Sequence, residues 1–195
     1  GSTVAGTDLS IALIALNTNV AAAAGAVGAL FTAWIWFRKP DPTFAINGAI
    51  AGLVSITAGC AYVSPVMAIL IGLIGGVIVV LSVELLDKVF KVDDPIGAVS
   101  AHGVCGAWGT LAVGLFANEV IGGVSGLFFG GGLKQLAVQF VGVAAVFLWT
   151  MLAGLLLFTA IKAFMGLRVS REEELRGLDI GEHGAEAYSG FQIFV

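Results

Sequence analysis

Charge is scarce in this sequence. Only 11% of its 195 residues are Asp, Glu, Lys or Arg, against about 25% in a typical soluble domain. Apolar residues make up 58%, where soluble chains carry about 45–50%. A soluble fold of this length could not hide so much apolar surface, because much of a globular protein's surface stays exposed whatever its sequence. The mean hydropathy of +1.02 agrees. Positive charge is scarcer still: nine Lys and Arg against thirteen Asp and Glu leave a net charge of −4, which gives no basic footprint for nucleic acid. Cys60 and Cys105, the two cysteines, are too few for a disulfide framework and match no metal spacing. The N-terminus lacks a basic segment followed by a short apolar core, so no cleaved signal is expected. Soluble enzymes, nucleic-acid binders and disordered segments are excluded. The chain reads as an all-α integral membrane protein.

A spanning helix needs about 20 mostly apolar residues, and the apolar runs predict five spans over about 9–37, 43–63, 66–90, 95–117 and 135–165. The first closes on Trp34, Trp36, Phe37, Arg38 and Lys39, an aromatic belt followed by basic anchors. Pro40-Asp41-Pro42 stops it. Ser64-Pro65 separates the second from the third. Asp94-Pro95 predicts the start of the fourth, with Asp94 as N-cap and Pro95 in the first helical position. A Gly-rich stretch, 122–132, precedes the fifth and longest. Residues 1–165 thus form the membrane region and 166–195 a polar tail.

Lys and Arg in the loops set the expected orientation. Arg38, Lys39, Lys88, Lys91, Lys162, Arg168, Arg171 and Arg176 fall on one side, and Lys134 alone on the other. The N-terminus is expected outside and the C-terminus in the cytoplasm, in a multi-pass plasma or inner membrane protein. The tail, helix-favouring over 171–175 and then Gly-rich, is either a solvated extension or a docking segment on the cytoplasmic face.

Within the spans, Gly48/Gly52, Gly72/Gly76 and Gly103/Ala107 place small residues four apart on one helix face, which lets backbones approach. Asn17, Asn19, Thr57, Ser100 and Thr110 are expected to make interhelical hydrogen bonds. Cys60 and Cys105 should differ in depth by roughly 10 Å at 1.5 Å per residue, too far for a disulfide. The span interiors hold no Asp, Glu, Lys or Arg, the groups on which ion-coupled carriers usually rely. One ionisable side chain stands out there, His102, about seven residues into the fourth span and flanked by Ala101, Gly103, Gly106 and Ala107. It is either a packing histidine bonded to a neighbouring helix's carbonyl or hydroxyl, or a pore-lining imidazole that accepts one hydrogen bond and donates another. With no fixed charge beside it to balance a cation, the species passing it should be small, neutral and hydrogen-bonding.

The run from Asp93-Asp94-Pro95 through His102-Gly103-Val104-Cys105-Gly106 resembles the DDP…HGVCG signature of the ammonium transporter (Amt/Mep/Rh) family. Ala49-Ile50-Ala51-Gly52-Leu53-Val54 with Thr57, Ala58 and Cys60, and Ala15-Leu16-Asn17-Thr18, match it too. The tail, from Gly166-Leu167-Arg168-Val169 through Gly177-Leu178-Asp179-Ile180 to Glu182-His183-Gly184, is similar to that of the bacterial and plant-type branch.

The resemblance implies an eleven-helix fold of two inverted five-helix repeats and a long last helix. The five spans here would be helices seven to eleven, the second repeat plus that last helix. It further implies that His102 is the second of a pair of pore histidines, that Ser2 helps recruit ammonium at an outer vestibule and that Thr57 lies near it. Gly177, Asp179, His183 and Gly184 would belong to a regulatory tail contacting a neighbouring subunit of a homotrimer and PII-type regulators. The first pore histidine, the outer aromatic cage and the phenylalanine gate have no counterpart in the sequence, so this chain is expected to be one half of a transporter and not to conduct by itself. Ammonium and ammonia are the expected ligands, with no cofactor, metal or catalytic residue. Transport is the leading expectation; an ammonium sensor with little flux is the alternative.

Overall fold

In the computed structural model, residues 10–185 and 187 are described. The chain divides into two compact units, 1–146 and 147–195, and the division falls inside a helix. The described residues are helical, with no strand among them.

In the first unit, α1 (Ser10–Phe37) packs against α2 (Pro42–Thr57) and α3 (Pro65–Leu85), and α4 (Cys105–Phe116) packs on α2 and α3. Glycine makes the crossings close. A Cβ on Gly25 of α1 would strike the Gly48 carbonyl and the Gly52 backbone of α2, and one on Gly76 of α3 would strike the Gly25 carbonyl. The four-residue spacings seen in the sequence at Gly48/Gly52 and Gly72/Gly76 therefore lie at helix crossings. Gly103 does not: its Cβ would meet nothing closer than Val99 Cγ1, 3.9 Å away.

The helix ends follow local chemistry. Asp41 caps α2 by accepting from the Thr43 amide (2.8 Å), with Pro42 in the first turn. Ser64 caps α3, with Pro65 behind it. Helix α3 runs on into a π-helical turn, Leu86–Phe90, closed by Lys91 in the left-handed region at φ 52°. At that end of the unit, Phe37 stacks on Phe44 with centroids 5.4 Å apart, and the Lys88 ammonium lies 5.9 Å from the Phe37 ring. Beyond α4 come the short α5 (Glu119–Gly122) and a 3₁₀ turn, Leu127–Phe129.

Two expected spans differ from their sequence reading. Helix α2 has 16 residues and ends at Thr57, not 63; it is about 24 Å long at 1.5 Å per residue, short of the ~30 Å hydrocarbon layer. The chain past it turns because buried Asn17 on α1 draws off two of its carbonyls: Nδ2 donates to Cys60 O (2.8 Å) and Val63 O (2.9 Å). The fourth span begins at Ala98 and continues as a π-helical turn, Val99–Val104, into α4. Pro95 is therefore not the first helical residue; it sits in a turn closed by the Gly97 amide donating to Asp94 O (2.9 Å). Four helical stretches among the described residues are long and apolar enough to cross a membrane, and α2 is a shorter apolar helix.

Helix α6 (Lys134–Phe164, 31 residues) has no buried residue. Its first turns belong to the first unit, where Leu136 lies against Gly114. The second unit holds the rest of α6 and the tail helices α7 (Arg171–Arg176) and α8 (Leu178–His183). Ser170 begins α7 through a reciprocal capping box with Glu173.

Candidate functional site

His102 is the fourth residue of the π-helical turn. Its neighbours in the turn divide by face: Ser100, Ala101 and Cys105 are buried against the bundle, while Val99, His102, Gly103 and Val104 are exposed. The imidazole bonds to no carbonyl, hydroxyl or carboxylate among the described residues. Because the helix starts at Ala98, His102 lies four residues inside it, not seven.

Asp94 reaches over the turn at Pro95–Gly97 to bind this segment. Its Oδ1 accepts from the Val99 amide (3.0 Å) and its Oδ2 from the Ser100 amide (3.1 Å). Partial burial alone would raise the carboxyl pKa, but the hydrogen bonds from these amides outweigh it and hold the group below its ordinary value. Asp94 thus caps the start of this helix from four residues before Ala98, through amides five and six residues ahead of its own, and is not the residue next to the first helical one. Gly97 is left-handed (φ 71°) and buried, and Asn47 of α2 donates to the neighbouring Ile96 carbonyl (3.3 Å).

Cys105 points the other way from His102. It is fully buried, and its thiol donates to Gly75 O of α3 (3.5 Å). The two side chains therefore do not converge on a common ligand. Cys60 and Cys105 are both buried and are not joined by a disulfide.

Thr57 is exposed at the end of α2, with its hydroxyl donating to Leu53 O in its own helix (2.7 Å). It makes no hydrogen bond to His102. Ser2 lies outside the described residues. The other in-span polar groups behave less uniformly than the sequence suggests. Asn17 bonds across helices, but Asn19 and Thr110 return to Ala15 O and Gly106 O, four residues back in their own helices. Sequence reasoning missed two links that fix α4 and its approach: Trp108 Nε1 donating to Ile71 O (3.1 Å), and the Asn47 bond. An indole N–H inside an apolar run was the available signal for the first, since a buried one needs an acceptor.

The four tail residues come together at α8. Gly177 precedes it at φ 97°, Gly184 ends it at φ 65°, and Asp179 and His183 lie one turn apart within it. The Ala187 amide donates to Asp179 (3.0 Å) and, with the Ile180 amide and the His183 charge, holds that carboxyl below its ordinary value.

Residues 1–188 match the model of the Ammonium Transporter Family. The chain is 43% identical to Ammonium transporter Amt2 of Archaeoglobus fulgidus, over 98% of this chain and 42% of that protein. It is 40% identical to an ammonium transporter of Bacillus subtilis, over 89% of this chain and 43% of that protein. Among solved structures it resembles one named Sensor Amt Protein, with a TM-score of 0.81, 38% identity, and coverage of 90% of this chain and 43% of that one. It also resembles Candida albicans Mep2, with a TM-score of 0.77, 28% identity, and coverage of 86% and 38%. The chain spans less than half the length of these relatives.

Proposed function

The chain belongs to the ammonium transporter family, and on that premise we propose that it supplies one wall of a membrane pathway for ammonia, with His102 as the imidazole lining it. The observation that carries this reading is an exposed, unbonded histidine on the outer face of an otherwise apolar bundle. An imidazole left bare to hydrocarbon would cost several kcal/mol, whereas one lining a narrow conduit finds its partner in the permeating molecule. The relatives named above as transporters favour transport over sensing.

The physics of selection follows. A charged group at mid-bilayer costs at least about 2.5 kcal/mol. Ammonium can escape that cost by giving up its proton at the entrance and crossing as ammonia; potassium cannot. In this reading ammonium is recruited at an outer vestibule to which Ser2 and Thr57 contribute, is deprotonated, and passes His102 as ammonia while the imidazole relays the proton. The other wall, with the first histidine of the pair, comes from a further half of the transporter, and the working unit is a homotrimer. The tail around Gly177, Asp179, His183 and Gly184 is its regulatory contact, with a neighbouring subunit or a PII-type protein.

The test is His102→Ala in the complete transporter containing this sequence. Methylammonium uptake, normalised to protein in the membrane, should fall about tenfold, equivalent to ~1.4 kcal/mol. Uptake equal to the parent protein would refute the pore role.

A further inference from the structure

The loop between α4 and α6 is tied down along its length. Asn118 caps α5 by accepting from the Val120 amide (2.9 Å), and the Gly126 amide donates to Ala117 O (2.8 Å). The Gly131 amide returns to Gly126 O (2.9 Å), and there the backbone passes so close to the Ser125 carbonyl that Gly131 has no room for a Cβ. Gly123 and Gly130 are left-handed, at φ 73° and 87°, and a Cβ on either would meet nothing. Both line an open cleft of about 350 Å³, together with Glu119, Ser125 and Lys134.

Two opposite charges face this cleft without meeting. Glu119 Oε2 accepts from the Ser125 hydroxyl (3.2 Å), and no ion pair joins Glu119 to Lys134; among the described residues only Glu84 and Lys88 form one. A plain anion drawn to Lys134 would be repelled by Glu119, and a plain cation the reverse. The ligand that suits both carries both signs: an anion for the ammonium, and an amine that donates to the carboxylate. The setting narrows the choice further. The cleft lies where α4 has ended and the long apolar α6 begins, and Val120 (94% exposed), Phe128 and Leu133 stand uncovered on the same loop. Polar groups beside bare apolar side chains at the end of a spanning helix mark the edge of the hydrocarbon layer. A soluble zwitterion makes no use of that apolar rim, whereas a phospholipid lays its chains on it.

We propose that this cleft binds the headgroup of a phospholipid that carries a primary amine, phosphatidylethanolamine, with Lys134 on the phosphate and Glu119 on the amine. The site stands apart from the pathway at His102 and requires only that the chain lie in a bilayer.

The experiment uses the complete transporter in uncharged maltoside micelles, with Val120→Cys carrying a trifluoromethyl tag whose fluorine signal is assigned by its absence from the untagged parent. Cys60 and Cys105 are buried, so the tag reports from beside Glu119. Added phosphatidylethanolamine should shift the signal to saturation, at a lower lipid fraction than phosphatidylglycerol, which has no amine. Glu119→Gln and Lys134→Gln should each raise the half-saturating fraction about tenfold, equivalent to ~1.4 kcal/mol, and Glu119→Gln should abolish the preference over phosphatidylglycerol. Both side chains are exposed, and each variant is read separately, so one that does not accumulate leaves the other to decide. A signal that never saturates, an unchanged half-saturation in either variant, or phosphatidylglycerol equal to phosphatidylethanolamine in the parent overturns the proposal. Saturation by free glycerophosphoethanolamine as readily as by the lipid would overturn the assignment to a phospholipid.

Discussion

Asn17 and Asn19 lie two residues apart on one helix, and their surroundings give them opposite weight. Asn17 is 0% exposed and donates to Cys60 O and Val63 O, carbonyls just past the end of α2. Asn19 is exposed and returns its amide to Ala15 O within α1. Asn17→Leu removes two buried hydrogen bonds, each worth about 1 kcal/mol net, so the loss of stability should be about 2 kcal/mol or more. Asn19→Leu should stay within about 0.5 kcal/mol. Thermal unfolding of the purified protein in detergent checks both, and equal midpoints for the two variants would show that Asn17 does not hold the turn. The sequence ranks these two residues alike. Only the placement of the chain past Thr57, a long-range fact, separates them.

At the scale of the helix, close approach decides what a glycine is worth. Gly25→Ala would drive a methyl group into the Gly48 carbonyl and the Gly52 backbone, atoms that can yield only if α1 and α2 separate. Overpacking of this kind costs about 1–3 kcal/mol. Gly103→Ala meets only Val99 Cγ1 at 3.9 Å, an ordinary contact, and alanine is the better helix former by about 1 kcal/mol. The Gly103 variant should therefore unfold at or above the parent temperature and the Gly25 variant below it; a neutral Gly25→Ala would mean that the crossing has slack. Residue spacing made Gly48, Gly52, Gly72 and Gly76 legible in advance, because a period of four is a property of the helix itself. The pairing of Gly103 with Ala107 was read by the same rule, and among the described residues no helix crosses at Gly103; spacing cannot say which face another helix covers. The fourth span's start failed for a related reason: Asp-Pro is a sound local signal, but the positive φ of Gly97 and the reach of Asp94 across the turn depend on α2 lying alongside.

Across the first unit, the two ends of the bundle differ in charge. Phe37, Phe44 and Lys88 meet at one end, where Arg38, Lys39 and Lys91 also lie on the segments joining the helices. At the other, the Asn118 amide donates to Tyr62 O (2.8 Å), and Lys134 lines an open cleft of about 350 Å³ with Glu119 and Ser125. Four basic residues against one is the asymmetry that orients a membrane protein, with the richer end retained in the cytoplasm. Lys88→Cys should therefore react with a membrane-impermeant maleimide only after cells are opened, and Lys134→Cys in intact spheroplasts. Cys60 and Cys105, both buried, should add little background. The reverse labelling pattern would invert the bundle and place Thr57 on the cytoplasmic side, which would remove it from any outer vestibule. It would leave His102 on the same exposed face, because an inversion of the whole bundle exchanges the two compartments without moving the imidazole relative to the helices. Labelling thus bears on the direction of ammonium entry, and substitution of His102 on whether there is a pathway to enter.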